Sequence, residues 1–184
     1  MNRFPFPDRE NSMQELLSDY VFPKIEKDKI QEMFDTAWSI GEQAADVFIG
    51  QWGQEAPLSM REVLQRSGVK IIEKDIDYVV GKRRYFCEFF SGTNVLKIYE
   101  KSVDKWRLEN GFSSYEEGLE VLLFHEYFHY LEWNSLGMTS RKFQVPILKI
   151  GKWKIGKTGI PSLSEIGANA FANKCFLQFM QPGV

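Results

Sequence analysis

The clearest periodicity in the chain runs through residues 115–133. Leu119, Leu122, Leu123, Phe124, Phe128 and Leu131 recur at helical intervals, broadly enough for a helix buried on most sides. Ser113 or Ser114 can cap its start, with Glu116 or Glu117 three residues on to complete a capping box at the positive end of the helix dipole. Asn134 to Gly137 ends it. A second pattern, Ile30, Phe34, Ala37, Trp38, Ala44, Ala45 and Phe48, predicts a long amphipathic helix over 25–50, with Asp28 available as a cap. Shorter helices are predicted over 13–20 and 60–66. The second of these follows Pro57-Leu58, has Ser59 as cap and Glu62 at the box position, and stops at Gly68. Pro161-Ser162 introduces a last helix over 163–180. Three β-branched or aromatic runs predict strands over 69–73, 84–90 and 95–100, the last two joined as a hairpin through Ser91-Gly92-Thr93-Asn94. Residues 145–155 read as one more extended pair, bent at Gly151. The chain is therefore expected to be an α+β protein in which the 115–133 helix packs on a small antiparallel sheet and on the last helix.

Length and composition set the frame. A chain of 184 residues with 43% hydrophobic and 15% aromatic positions is globular and predicts one domain over 1–184, of which 1–24 form an N-terminal arm and short helix. The arm, 1–8, carries Phe4-Pro5-Phe6-Pro7 and reads as extended. Two cysteines, Cys87 and Cys175, do not make a disulfide framework, so a reduced, cytoplasmic setting is expected. No apolar run approaches a membrane span, and the first residues lack the apolar core of a signal peptide. A net charge of −2 argues against a general nucleic-acid binder. Charge is unevenly placed, however. Six basic residues (Arg141, Lys142, Lys149, Lys152, Lys154, Lys157) and no acidic one lie between Trp133 and Ser164, which leaves the rest of the chain at −8. This stretch is either a solvated connection or a rim suited to an acidic partner segment.

The candidate chemistry sits on the first helix. His125-Glu126-Tyr127-Phe128-His129 contains the only two histidines of the chain. Spacing i, i+4 puts both imidazoles on one helix face, where they can hold two corners of a tetrahedral zinc. Glu126 is then placed to act on a water at the metal as a general base rather than as a ligand. The alternative, two histidines of the core, has to satisfy three buried polar groups without a metal.

A catalytic zinc needs a third protein ligand and an open position. With no histidine left, a three-histidine site is excluded. Beyond Glu132 the chain has a single acidic residue, Glu165. Ser162-x-x-Glu165 is also a capping-box spacing, so Glu165 is either a helix cap or the third ligand. Its face continues through Ala168, Asn169, Ala172, Phe176 and Phe179, small enough near Glu165 for close packing on the histidine helix. Glu132 competes as ligand but is awkwardly placed, one turn past His129. It suits a group that orients a histidine instead. Tyr130, Tyr99 and Tyr85 are possible oxyanion donors by residue type alone.

His125-Glu126-x-x-His129, followed by Glu165-x-x-Ala168-Asn169-x-Phe171-Ala172, resembles the ImmA/IrrE-type metallopeptidases. The resemblance covers about residues 34–182, and the segment after Glu165 is its more specific part. Pro57-Leu58 through Gly68-Val69 to Ile72 is similar to the family's short helix, glycine and first strand. Met180-Gln181-Pro182 is similar to its closing Met-Pro. Tyr127-Phe128 replaces the smaller pair usual inside the motif, the connection between His129 and Glu165 is long, and the N-terminal arm and helix have no counterpart. The resemblance implies a zincin-like fold, Zn2+ held by His125, His129 and Glu165 (manganese and iron also suit such a site), and Glu126 as catalytic base. It implies a zinc metalloendopeptidase cleaving a protein substrate such as a helix-turn-helix transcriptional repressor, in a stress or mobile-element switch, without direct nucleic-acid contact. The alternative is a zincin-like sensor or binding module with little or no peptidase activity.

Overall fold

The computed structural model describes residues 4–53, 59–151 and 153–181. Pro57, Leu58, Lys152 and Pro182, which figure in the expected segments, lie outside the described residues, as do residues 1–3 of the arm. The architecture is α+β. Its helices are α1 (Arg9–Leu17), α2 (Ile30–Trp52), α3 (Met60–Arg66), α4 (Glu100–Glu109), α5 (Tyr115–Leu131) and α6 (Ser162–Met180). Its strands are β1 (Lys70–Lys74), β2 (Tyr78–Val80), β3 (Arg83–Tyr85), β4 (Cys87–Phe90), β5 (Val95–Tyr99), β6 (Leu148–Ile150) and β7 (Trp153–Ile155). No helix among the described residues is long and apolar enough to cross a membrane.

Local chemistry accounts for the elements that were legible. Ser114 and Glu117 form a reciprocal capping box on α5, and Ser59 and Glu62 form one on α3. Gly68, at φ +81°, supplies the left-handed turn between α3 and β1 that a side chain would resist. Two helices start elsewhere than expected. α1 begins at Arg9 because Asp8 caps it, accepting from Asn11 N–H at 3.0 Å. α2 begins at Ile30 because Ile25 and Glu26 are held extended, with Ile25 buried in the core. A 3-10 turn at Lys27–Lys29 then leads in, and Asp28 makes no cap.

The expected antiparallel sheet is corrected to a mixed one. The main sheet has the order β1-β5-β4, with β5 antiparallel to β4 but parallel to β1, Lys70 opposite Val95 and Lys74 opposite Tyr99. The run expected over 84–90 is interrupted at Phe86, so that β3 pairs with β2 and β4 with β5. α4 is an unanticipated helix, and only Ser102, Val103 and Trp106 of it are buried.

α6 is the centre of the packing. It lies against α2, α5 and α1, and every residue from Ser162 to Ala172 except Glu165 is buried. Two apolar clusters meet on it. The larger joins α5, the sheet and Phe171, Ala172 and Phe176. The smaller joins Leu16, Val21 and Ile25 with Leu163, Ile166 and Ala170. Glycines permit the close approach. A Cβ on Gly41 of α2 would lie 2.1 Å from the Gly167 carbonyl oxygen, and one on Gly167 would lie 2.6 Å from the Phe128 ring.

One carboxylate of the frame titrates in an unusual range. Glu120 accepts the Met60 N–H at 2.7 Å at the start of α3. Burial, outweighing the pull of that hydrogen bond, pushes its pKa from 4.5 up to about 7. A carboxylate with a raised folded-state pKa favours folding most below its unfolded value of 4.5. That contribution is lost as the pH rises through about 7. Glu120→Gln keeps an acceptor for Met60 and removes the charge. It is expected to raise stability on the order of 1 kcal/mol at about pH 8 and to leave it unchanged near pH 4, as read from melting temperatures across pH.

Candidate metal centre

α5 presents the three groups of its motif to different neighbours. His125 and His129 turn their Nε2 atoms toward each other at 3.3 Å. Glu165, from the first turn of α6, brings Oε2 to 3.3 Å from His125 Nε2 and Oε1 to 3.7 Å from His129 Nε2. The donor atoms of these three residues all lie within 4.8 Å of one another, the one such cluster of three or more among the described residues. Donors about 2.0–2.1 Å from a tetrahedral zinc are themselves about 3.3 Å apart. The His125–His129 and His125–Glu165 edges have that length, while the His129–Glu165 edge is longer and runs to the other carboxylate oxygen, so a small turn of the Glu165 carboxylate would complete the set. Two imidazoles with one carboxylate are a suitable donor set.

The capping role open to Glu165 is not taken. α6 has no side-chain cap on Pro161, and the Ser162 N–H is instead accepted by Asp19 Oδ2 at 2.9 Å. Asp19 follows α1, so the first turn of the helix that carries Glu165 is fixed by a residue 143 positions away. This frees the Glu165 side chain, half of it exposed, to face the histidines.

Glu132 is not among the three grouped donors. It is buried and accepts at both oxygens: His129 Nδ1 lies 3.1 Å from Oε2, and Thr139 N–H and Ser164 Oγ–H donate to Oε1 at 2.7 and 2.8 Å. One carboxylate thus orients the His129 ring and ties the end of α5 to the first turn of α6. Burial works against the charged ring of His129. The hydrogen bond to Glu132 and the charges of Glu165, Glu126 and Glu132 outweigh it and push the pKa up to about 9. Burial also opposes the charge of Glu165, but the hydrogen bond to His125 and the two imidazoles hold its pKa down at about 2. A cation bound between these donors would take the place of the proton. Glu132→Ala is expected to weaken zinc binding about 10–100-fold and to lower the melting temperature. Glu132→Gln should recover part of the stability through Thr139 and Ser164, since an amide oxygen still accepts from them. Chelator competition and thermal melts on the two variants check this.

Glu126 points to the sheet. Its Oε2 accepts the Phe89 N–H of the edge strand β4 at 2.9 Å, and burial raises its pKa. It stands beside the donor triangle without being part of it. A cleft of about 330 Å3 opens next to the triangle, lined by Phe89, His129, Met138, Ser140, Ser164 and Glu165 among others. Among the described residues, no basic side chain of the 133–164 connection lines it; Lys142 and Lys154 border other hollows, Lys154 lying 3.7 Å from Glu26. Of the candidate oxyanion donors, the Tyr130 hydroxyl donates to the Ser67 carbonyl and that of Tyr99 to Glu88. Tyr85 packs against Tyr78 with the rings tilted by 44°.

Three contributors were not read from the sequence. Asp19 acts across too long a separation for any local pattern. Ser164 is a small polar residue in a buried turn, with no signal of its own. Phe6 lies over the His125 ring, centroids 5.1 Å apart. α1 follows it beside the site, where Glu15 has its pKa raised by burial and by the charge of Glu165. No protein-family model matches the chain, and neither does any curated protein or solved structure.

Proposed function

We propose that this chain is a zinc-dependent metalloendopeptidase with a zincin-like fold, of the ImmA/IrrE type, acting in the cytoplasm on a protein substrate such as a helix-turn-helix repressor. The observation that carries the proposal is the donor triangle of His125, His129 and Glu165 at 3.3–3.7 Å, with the carboxylate of Glu126 beside it and outside it. When bound there, zinc supplies Lewis acidity, polarising a carbonyl and lowering the pKa of a water toward ~7. Glu126 takes the proton of the attacking water and delivers it to the leaving amine. Burial raises its pKa in the metal-free chain, so the carboxylate is a ready proton acceptor. Glu132 keeps the His129 ring in register, and the Phe89 N–H keeps Glu126 from swinging into the donor set.

The free, buried state of both cysteines suits a reducing compartment. The test is direct. The purified chain should take up about one zinc. It should cleave a helix-turn-helix protein encoded beside it, stop on addition of a chelator and resume when zinc is restored. A chain that binds zinc tightly but leaves unfolded and folded protein substrates intact would count against the peptidase and for a sensor.

A further inference from the structure

The two sides of the donor triangle differ in what lies against them. Toward His129 the cleft is open. Toward His125 the chain supplies its own covering. Phe6 lies over the His125 ring at 5.1 Å between centroids and 30° between planes, and against Trp106 at 5.7 Å. Phe4 packs on Phe176 at 5.5 Å and on Phe6 at 5.7 Å. Both rings are half-buried on the main core. The Pro7 carbonyl accepts from Ser12 Oγ at 3.0 Å, which joins the arm to α1.

We propose that residues 4–7 occupy an apolar peptide-binding subsite beside the metal position, walled by Trp106, His125 and Phe176, and that they close this limb of the cleft until a polypeptide displaces them. The ligand class is an extended segment with aromatic or large aliphatic side chains at alternate positions. The proposal rests on the peptidase reading only for the identity of the displacing polypeptide.

Three features support it. First, the occupant is itself of that class. Pro5 and Pro7 fix φ and favour extended backbone in the residues before them. Phe4 and Phe6, two apart, reach the same wall as alternate side chains of an extended chain do. Second, the arm is held by side chains. Among the described residues no strand pairs with residues 4–7, so it can leave without breaking a sheet. Third, the wall on which the arm lies holds an unserved polar atom. His125 Nδ1 is buried with no hydrogen-bond partner among the described residues, whereas His129 Nδ1 has Glu132. With Nε2 on a metal, Nδ1 must carry the ring proton, and a buried N–H without an acceptor opposes closure. Departure of the arm is expected to open that N–H to water or to a peptide carbonyl, which the reactivity of His125 reads directly. Two rings favour the closed state and one unpaired donor disfavours it, which is how a displaceable cover is expected to be balanced.

The experiment uses the full chain and the variant Phe4→Ala/Phe6→Ala. Diethyl pyrocarbonate modifies histidines, and the chain has only two, so peptide mass spectrometry of the metal-free protein reads the ratio of His125 to His129 modification. The variant should raise that ratio about tenfold, and a synthetic peptide with the sequence of residues 1–8 should lower it again. Zinc-loaded variant should cleave fluorescent casein about tenfold faster than the parent chain. Should the double variant fail to fold, Phe6→Leu gives the same comparison with a smaller shift. An unchanged His125 ratio overturns the cover. A raised ratio with unchanged casein cleavage overturns its place in the substrate cleft. Zinc bound by both chains, with neither casein nor the helix-turn-helix protein cleaved by either, removes the peptidase reading instead. The subsite is then decided by whether the added peptide protects His125.

Discussion

Replacing Glu126 by glutamine is expected to lower peptide hydrolysis by about 10³-fold while leaving zinc content unchanged. The carboxylate lies next to the donor triangle but is committed to the Phe89 N–H, and a glutamine oxygen accepts from the same group. Shape and metal therefore stay, and only the base is lost. Removing a buried charge should leave stability equal or higher. His125→Ala, His129→Ala and Glu165→Ala have the opposite signature. Each deletes a corner of the triangle, so each should lose zinc first and activity as a consequence. Metal analysis and a cleavage assay on the same four preparations separate the roles. Loss of zinc from Glu126→Gln comparable to that from His129→Ala would make Glu126 a ligand and end the assignment of the base.

The second large effect lies away from the chemistry. Gly41→Ala is expected to destabilise the protein by about 3 kcal/mol or more. The added Cβ would stand 2.1 Å from the Gly167 carbonyl oxygen and 2.8 Å from the Ala170 Cβ, so α2 and α6 must separate. α6 cannot simply retreat, since Gly167 is also seated against the Phe128 ring. Its shift carries Glu165 relative to the two histidines, and zinc affinity should fall together with the melting temperature. Gly50 in the same helix is the internal control. A Cβ there meets nothing within 4 Å, so Gly50→Ala should raise stability by about 0.5–1 kcal/mol through helix propensity. Denaturant melts of the two variants should move in opposite directions. Similar shifts for both would show that the α2–α6 crossing is looser than its geometry.

What could be read from the sequence was local. The boxes at Ser59 and Ser114, the turn at 91–94 and the break at Pro161 each announce an element within four residues, because a cap satisfies its own helix. The metal-ligand candidates were legible for a different reason, scarcity: two histidines, and one acidic residue past Glu132. What escaped depends on partners far along the chain. α4 has little apolar periodicity. It is held by packing of Trp106 and by Ser102, which accepts from Tyr78 N–H and donates to Asp77. The parallel pairing of β1 with β5 depends on how the intervening hairpin strands are routed, to which neither strand's composition is sensitive. The basic stretch was legible as charge but not as position; its course beside the cleft is carried by Met138, Ser140 and Ser164.

The placement of α6 sets an order of events in biosynthesis. Its first turn is completed by Asp19 and Glu132, and its body fills the space between α2 and α5. A ribosome delivers the two histidines first and reaches Glu165 only 36 residues after His129, a delay of a few seconds at about 5–20 residues per second. Through that interval a nascent chain owns two of the three donors and none of the helix that aligns them. An ion met at that stage is held by an imidazole pair alone and is readily exchanged. If the chain is the peptidase proposed above, competence to cut is thereby postponed until α6 has docked, and the polypeptides crowded around the translating ribosome, its own unfolded segments included, are spared.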